Sequence, residues 1–570
     1  MLGSRPCKEY NRALDMGGNH GHGRIGISLV GFKEDWLVEM AIALSPPAII
    51  LVVRDDATPS GSRLDNEPIR KIKEAGIPIM VMVQSVEEAV TAAELSASAV
   101  VAQSTETGGH GTAPSSALCL LADVVDALKA KGFDEVAVLA AGGIEDGRQV
   151  AAAFALGAAG AVMGNTFSMS HGTVALAEEE QQKALKKKLA KGQEKGDLDV
   201  APVYESSEAG ESLSNMILPL TPWCKFEALK SLWVPIISAP VAGVSGAEFA
   251  SSVANGGGMG FLGSGFAKDK EALHREYNRA LELGGDYGHR RIGIALDVFT
   301  ADWLLEMTIA LSPPAIWITF GDCTEAISRI KDARIPIMVT VQSVEEAVKA
   351  AALGASAIVA EGIESEGQGC GSTSTLCLVP GVIDALQEKG FDKVAVLAAG
   401  GIANGGQVAA ALTLGAQGVV MDSGFAATRE RMLSPQKKQQ DPAAKGADMK
   451  QTRLHDELCA TDLPAGVDAL VIGDQSSMKH GIAALVEEEQ QNAHQKESPK
   501  SQREGNLDIA PVCSGAGVEQ VDSAEVVVKS VWKAACSRME DTFNAHVTPT
   551  YGMCGFSGPD SDNDSDIYCD

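Results

Sequence analysis

Short apolar runs, each followed by a stretch of helical spacing, succeed one another along most of the chain. From residue 234 to residue 421 the runs are VPIIS, MGFLG, RIGIAL, AIWITF, IPIMVTV, SAIVAE, VAVLAA and GVVM. Several are uniformly apolar rather than alternating, the pattern of parallel strands buried on both faces. Between them lie segments such as SVEEAVKAAALG and GGQVAAALTLG, which repeat apolar positions at helical spacing and end near glycine. Eight β/α units in succession predict an α/β fold of the TIM (β/α)8 barrel type.

The same pattern is written a second time, incompletely. YNRALDMGGNHGHGRIGIS (10–28) recurs as YNRALELGGDYGHRRIGIA (277–295), and IPIMVMVQSVEEAV (77–90) as IPIMVTVQSVEEAV (335–348). VAVLAAGGIEDGRQVAAAFALGAAGAVMG (136–164) recurs as VAVLAAGGIANGGQVAAALTLGAQGVVMD (394–422), and GDLDVAPV (196–203) as GNLDIAPV (505–512). Tyr10 matches Tyr277 at an offset of 267, and Pro78 matches Pro336 at an offset of 258, so copy 1 carries nine extra residues around RDDATPSGS. His171 matches His480 at an offset of 309, so copy 1 lacks 51 residues after Gly164. Nothing before Tyr10 resembles VPIISAPVAGVSGAEFASSVANGGGMGFLGSGF (234–266). The second copy is therefore complete in strand count, and the first is a partial barrel lacking the first two β/α units.

Six units cannot close such a barrel, and two arrangements answer this. Copy 2 can form a normal barrel with copy 1 packed beside it as a partial one. Alternatively, residues 1–266 can close as a circular permutant that takes the strands at 234–262. The first is preferred, because it keeps connections short and sequential. The expected organisation is a partial repeat over 1–205, a linker over 206–225 and a barrel over 226–540. A tail over 541–570, ending GPDSDNDSDIYCD, is acidic, poor in apolar residues and expected to be disordered.

Composition narrows the function classes. The 570 residues are 45% hydrophobic and 5% aromatic, with 60 glycines, the profile of a compact, turn-rich α/β protein. A net charge of −28 argues against nucleic acid or an anionic membrane as partner. The one basic run, KALKKKLAKGQEKG (183–196), reads as a solvated helix face. MLGSRPCKEYNRALDMGG has no apolar core of a secretory signal, and no apolar stretch reaches the roughly 18 residues needed to span a bilayer. The eleven cysteines form no CxxC and are odd in number, so a reduced, cytoplasmic protein is expected.

Candidate chemistry falls where barrel enzymes keep it, at the C-terminal ends of strands. AAGGI (140–144 and 398–402) ends the seventh strand of each copy and MGNTF (163–167) the eighth strand of copy 1. Glycines there can cradle a phosphate or simply make tight turns. APVAGVSG (239–246) ends the first strand and NGGGMG (255–260) leads into the second; both can set backbone against a flat ring, while NGGG also reads as a helix end. QSTETGGHG (103–111) ends the sixth strand, where His110 can act as a proton acceptor or remain a solvated loop residue. His20 and His22 have no carboxylate or cysteine cluster beside them, so a surface loop is expected and no metal. Cys119 and Cys377 stand at matching positions and read as core thiols.

Taken together, SAPVAGVSG, NGGGMGFLGSGF, ETGGHG, AAGGI and MGNTF resemble the nitronate monooxygenase (2-nitropropane dioxygenase-like) family, particularly its fungal members, through most of 10–205 and 225–535. GFAATRERMLSPQKK (424–438) and SGAGVEQV (514–521) also resemble family segments. The resemblance implies an FMN-binding barrel that oxidises alkyl nitronates with O2 and needs no metal. It places Pro240 and Val241 under the flavin ring, Asn255 near the cofactor, and Gln103, Gly108 and Gly109 against the flavin from strand six. It gives Gly142, Gly143, Gly164 and Thr166 to the phosphate in copy 1, and Gly400 and Gly401 in copy 2. It makes His110 the catalytic base. Copy 2 departs from it with Glu361 for Gln103, Glu366 for Gly108, Gln368 for His110 and Asp422 for Gly164. Glutamine cannot serve as a base, and a carboxylate repels a phosphate. Two further readings stay open: a catalytically degenerate tandem barrel with a binding or scaffold role, and another phosphate-binding barrel oxidoreductase resembling IMP dehydrogenase.

Overall fold

The computed structural model describes residues 5–16, 24–30, 35–52, 66–107, 115–163, 232–240, 245–263, 269–297, 302–319, 323–365, 373–425, 428–430, 449–452, 469–472 and 523–546. Two parallel sheets carry the fold. The first has six strands in sequential order: β1 (Ile27–Val30), β2 (Ile49–Val52), β3 (Ile79–Val83), β4 (Ala99–Gln103), β5 (Ala137–Ala141) and β6 (Gly160–Val162). The second has eight: β7 (Ile236–Ser238), β8 (Gly260–Gly263), β9 (Ile292–Asp297), β10 (Ile316–Thr319), β11 (Ile337–Val341), β12 (Ala357–Glu361), β13 (Ala395–Ala399) and β14 (Gly418–Met421). All eight apolar runs of copy 2 are strands.

The second sheet closes on itself. β14 pairs with β7 through Val419↔Ile236, Val420↔Ile237 and Met421↔Ser238. β7 meets β8 through a bridge of Ile237 with Met259, made by Ser238 N–H to Met259 O and Met259 N–H to Ile236 O, both 3.0 Å. The Ser238 hydroxyl accepts from Phe261 N–H at 3.0 Å and tightens that joint. The permuted alternative is thereby excluded: strands 234–263 lie between β14 and β9, in the barrel of copy 2, and the described residues show no pairing of β6 with β1. The reason is geometric, because β9 directly follows β8 in the chain and offers it a ready neighbour.

Helices alternate with the strands and cover their outer face. In copy 1 they are α1 (Arg5–Met16), α2 (Asp35–Leu44), α3 (Asn66–Glu74), α4 (Val86–Glu94), α5 (Ala117–Ala130) and α6 (Gly147–Ala155). In copy 2 they are α7 (Ala247–Asn255), α8 (Lys270–Leu283), α9 (Gly285–Arg291), α10 (Asp302–Leu311), α11 (Thr324–Asp332), α12 (Val344–Leu353), α13 (Thr375–Glu388) and α14 (Gly405–Thr413). The GGDYGHR segment, matched to GGNHGHG in copy 1, is helical as α9; His20 and His22 lie outside the described residues. A two-stranded antiparallel sheet, Met449–Thr452 with Ile472–Ala469, falls in the insertion peculiar to copy 2. A long helix, α15 (Ala524–His546), continues past residue 540, where the acidic tail was expected to begin.

Closure decides how well the lumen is packed. In the closed barrel Ile237, Met259, Phe261, Trp317, Met338, Val359, Leu397 and Val420 form a buried inner cluster. Phe261 and Trp317 meet edge to face at 5.2 Å, and Trp317 Nε1 donates to Thr340 Oγ1 at 2.8 Å, so the indole is both packed and satisfied. Of the matching residues of the open sheet, Ile50, Met80 and Leu139 are only half-buried and Val162 is 39% exposed, while Val101 stays buried. Among the described residues no strand closes the sheet to give them a far wall. Full burial of such a side chain contributes roughly 1.5–3 kcal/mol, so the open sheet forgoes part of that at each position left half-buried or exposed.

Candidate functional site

The C-terminal rim of the closed barrel is assembled by local capping. In QSVEE, Ser343 caps α12 by accepting from Glu346 N–H at 3.2 Å, while the Glu346 carboxylate accepts from Gln342 N–H at 2.8 Å. Gln342 is thus fixed at the end of β11, and its Nε2 donates to Glu361 Oε2 at 2.9 Å. Ser365 Oγ donates to the other Glu361 oxygen at 2.8 Å. Burial pushes the Glu361 carboxyl above its ordinary range, and the bonds from Ser365 and Gln342 oppose that shift. Copy 1 repeats the arrangement with an amide: Gln84 N–H donates to Glu88 at 2.8 Å, and Gln84 Nε2 donates to Gln103 Oε1 at 3.2 Å.

The glycine pairs end the next strand. Gly400 and Gly401 have φ of +104° and +66°, and Gly142 and Gly143 have +118° and +64°. A side chain at any of them is strained. Close packing explains them as well: a Cβ on Gly400 would lie 2.9 Å from Thr375 Oγ1, and one on Gly142 would lie 2.7 Å from Thr107 Oγ1. Pro240 completes the rim at the first strand, where Ala239 N–H donates to Met421 O at 2.9 Å and brings it beside half-buried Asp422.

Pro240, Gly400 and Gly401 are therefore gathered on the closed barrel, and Gln103, Gly142 and Gly143 on the open sheet. Gly108, Gly109, His110, Gly164, Thr166 and Val241 lie outside the described residues, as do Glu366 and Gln368. Asn255 departs from its expected place. It ends α7, which runs back from the rim toward the strand starts, and its Nδ2 donates to Leu283 O at 3.2 Å. Beside it Arg291 bonds Ala254 O at 3.3 Å and lies over the rings of both Trp233 and Tyr287, at 4.3 and 4.4 Å. NGGG is here a helix end, with Gly256 as C-cap and Gly257 at φ +101°.

Sequence reading missed Gln342 and Ser365, and it missed a second carboxylate below the rim. Glu364 is 6% exposed, and its Oε2 accepts from both Thr375 N–H and Thr375 Oγ1 at 2.9 Å. Burial, then the charge of Glu106, pushes its carboxyl up to about 7. Glu106 in turn accepts from Ala117 N–H at 3.1 Å. Both glutamates cap helices, and the common spacing Glu-x10-Ala/Thr was the available signal. Cys119 is buried and its thiol is pushed well up, by burial first and then by Glu364. Burial, then Glu106, pushes the Cys377 thiol up to about 12. Neither supplies a thiolate, in keeping with core packing.

A family model described as nitronate monooxygenase matches residues 50–197 and 277–531. Nitronate monooxygenase npaC of Metarhizium robertsii is 32% identical over 262 residues, which cover 41% of this chain and 71% of that protein. A probable nitronate monooxygenase of Staphylococcus aureus is 28% identical over 248 residues, 36% of this chain and 68% of that protein. Among solved structures, FabK from Thermotoga maritima is 24% identical, with a TM-score of 0.47 over 56% of this chain and 99% of that one. A nitroalkane oxidase from Streptomyces ansochromogenes is 22% identical, with a TM-score of 0.43 over 55% of this chain and 99% of that one.

Proposed function

Because this chain belongs to the nitronate monooxygenase family, we propose that it is an FMN-dependent oxidoreductase that oxidises alkyl nitronates with O2. The observation that carries the reading is the closed barrel, with a rim that sets Pro240, Gln342, Glu361, Gly400 and Gly401 over an apolar lumen. FMN, when bound, would supply one-electron chemistry between a nitronate and O2. Pro240 and Val241 would floor the ring, and Gln342 would present an amide near its edge. His110 belongs with Gln103, Gly108 and Gly109 to copy 1, so it would take the proton of a substrate held at the open sheet, while the closed barrel has Gln368 at the matching position.

The residues present suit the two ends of FMN unequally. The ring end fits, since the rim carries half-buried Pro240 and a hydrogen-bonded polar group of Gln342, Glu361 and Ser365. The phosphate end of the closed barrel does not, because Asp422 sets a carboxylate where copy 1 has Gly164. In copy 1, Gly142, Gly143, Gly164 and Thr166 would form a phosphate set without that charge, and of these Gly142 and Gly143 follow β5 of the open sheet.

A second reading, a degenerate tandem barrel with a binding role, is favoured by Glu361 and Asp422 together on the rim. One experiment separates the two. Purified full-length protein is incubated with FMN, desalted, and scanned for flavin absorbance; oxygen consumption is then followed with a primary nitronate. Retained flavin and turnover lost in His110→Ala support the oxidase. Protein that stays colourless after FMN treatment removes it.

A further inference from the structure

Copies 1 and 2 meet along a seam in which like packs on like. The equivalent helices α6 and α14 lie against each other, with α5 and α13 flanking them. Cys377 Sγ of copy 2 contacts Gly143 O of copy 1 at 3.7 Å, and a Cβ on Gly143 would lie 2.8 Å from that sulfur. Reciprocally, a Cβ on Gly401 of copy 2 would lie 2.8 Å from Cys119 Sγ of copy 1. The members of each pair are related by the single offset of 258. Glu106 and Glu364, also 258 apart, face across the same seam closely enough to influence each other.

Residue i touching j′ while j touches i′ is the mark of a two-fold, self-complementary interface. Two repeats packed on unrelated faces would not produce reciprocal contacts at matched positions. Where the two-fold fails, a substitute stands in. Arg148 makes a two-pronged pair with Asp384, Nη1 to Oδ1 at 2.8 Å and Nη2 to Oδ2 at 2.7 Å. The mirror pair would need an arginine at Gly406 opposite Asp126. Instead Arg538 of α15 comes within 4.0 Å of a Cβ built on Gly406, and its charge acts on Asp126. α15 belongs to the closed barrel, where Ala524 N–H donates to Glu430 at 3.1 Å and Glu525 N–H to Ser252 at 3.1 Å. Among the described residues it has no counterpart in copy 1.

We propose that the half-barrel is a tethered dimer partner: it fills, within one chain, the face through which a second complete barrel of this kind would pair. The partner that this face fits is a barrel bearing the same two helices and the same glycine turn, and here the chain carries its own. The inference does not depend on flavin binding or turnover.

The test uses the full-length chain with a protease site inserted between residues 206 and 225. Light scattering of the uncut protein should give the mass of one chain. After cleavage the two fragments should co-elute in equal amounts. Arg148→Glu should weaken their association about tenfold or more, and Arg148→Glu combined with Asp384→Arg should restore most of it. Should Arg148→Glu not yield folded protein, Asp384→Asn tests the same pair and should weaken association in the same direction. Fragments that separate on cutting would overturn the proposal. So would a two-chain species that Arg148→Glu dissolves, because another molecule would then fill the face.

Discussion

At the scale of single residues, two carboxylates set the most specific expectations. Glu364 ordinarily titrates near 4.5 and here near 7, because burial and then Glu106 disfavour its charge. Its folded value is raised, so its neutral form supports the fold below about pH 4.5, and that support is lost as pH rises through about 7. The shift corresponds to about 3 kcal/mol at most. Urea denaturation of the native chain should therefore show stability falling between pH 5 and pH 8, and Glu364→Gln should flatten that slope. A slope unchanged by the substitution would assign it to other groups. Asp422 bears on the ligand instead. If FMN occupies the closed barrel, Asp422→Gly should tighten it about tenfold, roughly 1.4 kcal/mol, by removing a like charge at the phosphate end. Fluorescence titration measures this, and equal affinities would move the phosphate elsewhere. Glu361 was legible as a departure because copy 1 has Gln103 there. Gln342 was not, since Gln84 is identical to it and the comparison of copies offers no contrast.

At the scale of elements, helix α15 depends on glycines in the surfaces it crosses. A Cβ on Gly405 would lie 2.5 Å from Ala534 Cβ and 2.6 Å from Ala535 N, which is main chain and cannot turn aside. Gly405→Ala should therefore lift α15 and cost about 1–3 kcal/mol of stability, as overpacking does. Chemical denaturation reads the loss, and a neutral effect would mean that α15 packs elsewhere. The β/α alternation was legible because buried parallel strands leave uniformly apolar runs. The docking of α15 was not. Its sequence AEVVVKSVWKAACSRM states an amphipathic helix, but its receiving surface is built from Ser252, Gly256, Gly405 and Glu430, which lie far apart in the chain.

At the scale of the whole molecule, one sheet is closed and the other is not. Closure pairs both edges of every strand, whereas β1 and β6 each leave an edge that no described strand pairs. Val162 on β6 is 39% exposed, and Ile50, Met80 and Leu139 on the inner face of the open sheet are only half-buried. Local opening there disrupts fewer contacts. Hydrogen exchange should accordingly run faster at β1 and β6 than at their counterparts β9 and β14, by about tenfold or more. Equal protection would mean that something covers those edges in solution. Among the described residues no helix is long and apolar enough to cross a membrane.

The sequence by itself determined the number of β/α units, their parallel order, the two unequal copies and the family. Each of these follows from periodicity and from motifs contiguous in the chain. Tertiary structure alone decided which copy takes the strands at 234–263, that Asn255 lies at the wrong end of the barrel for a rim residue, and that the copies meet about a two-fold seam. Those outcomes depend on which strand edge finds a neighbour and on which surfaces complement each other. Such contacts join residues as distant as Arg148 and Asp384, and no local pattern encodes them.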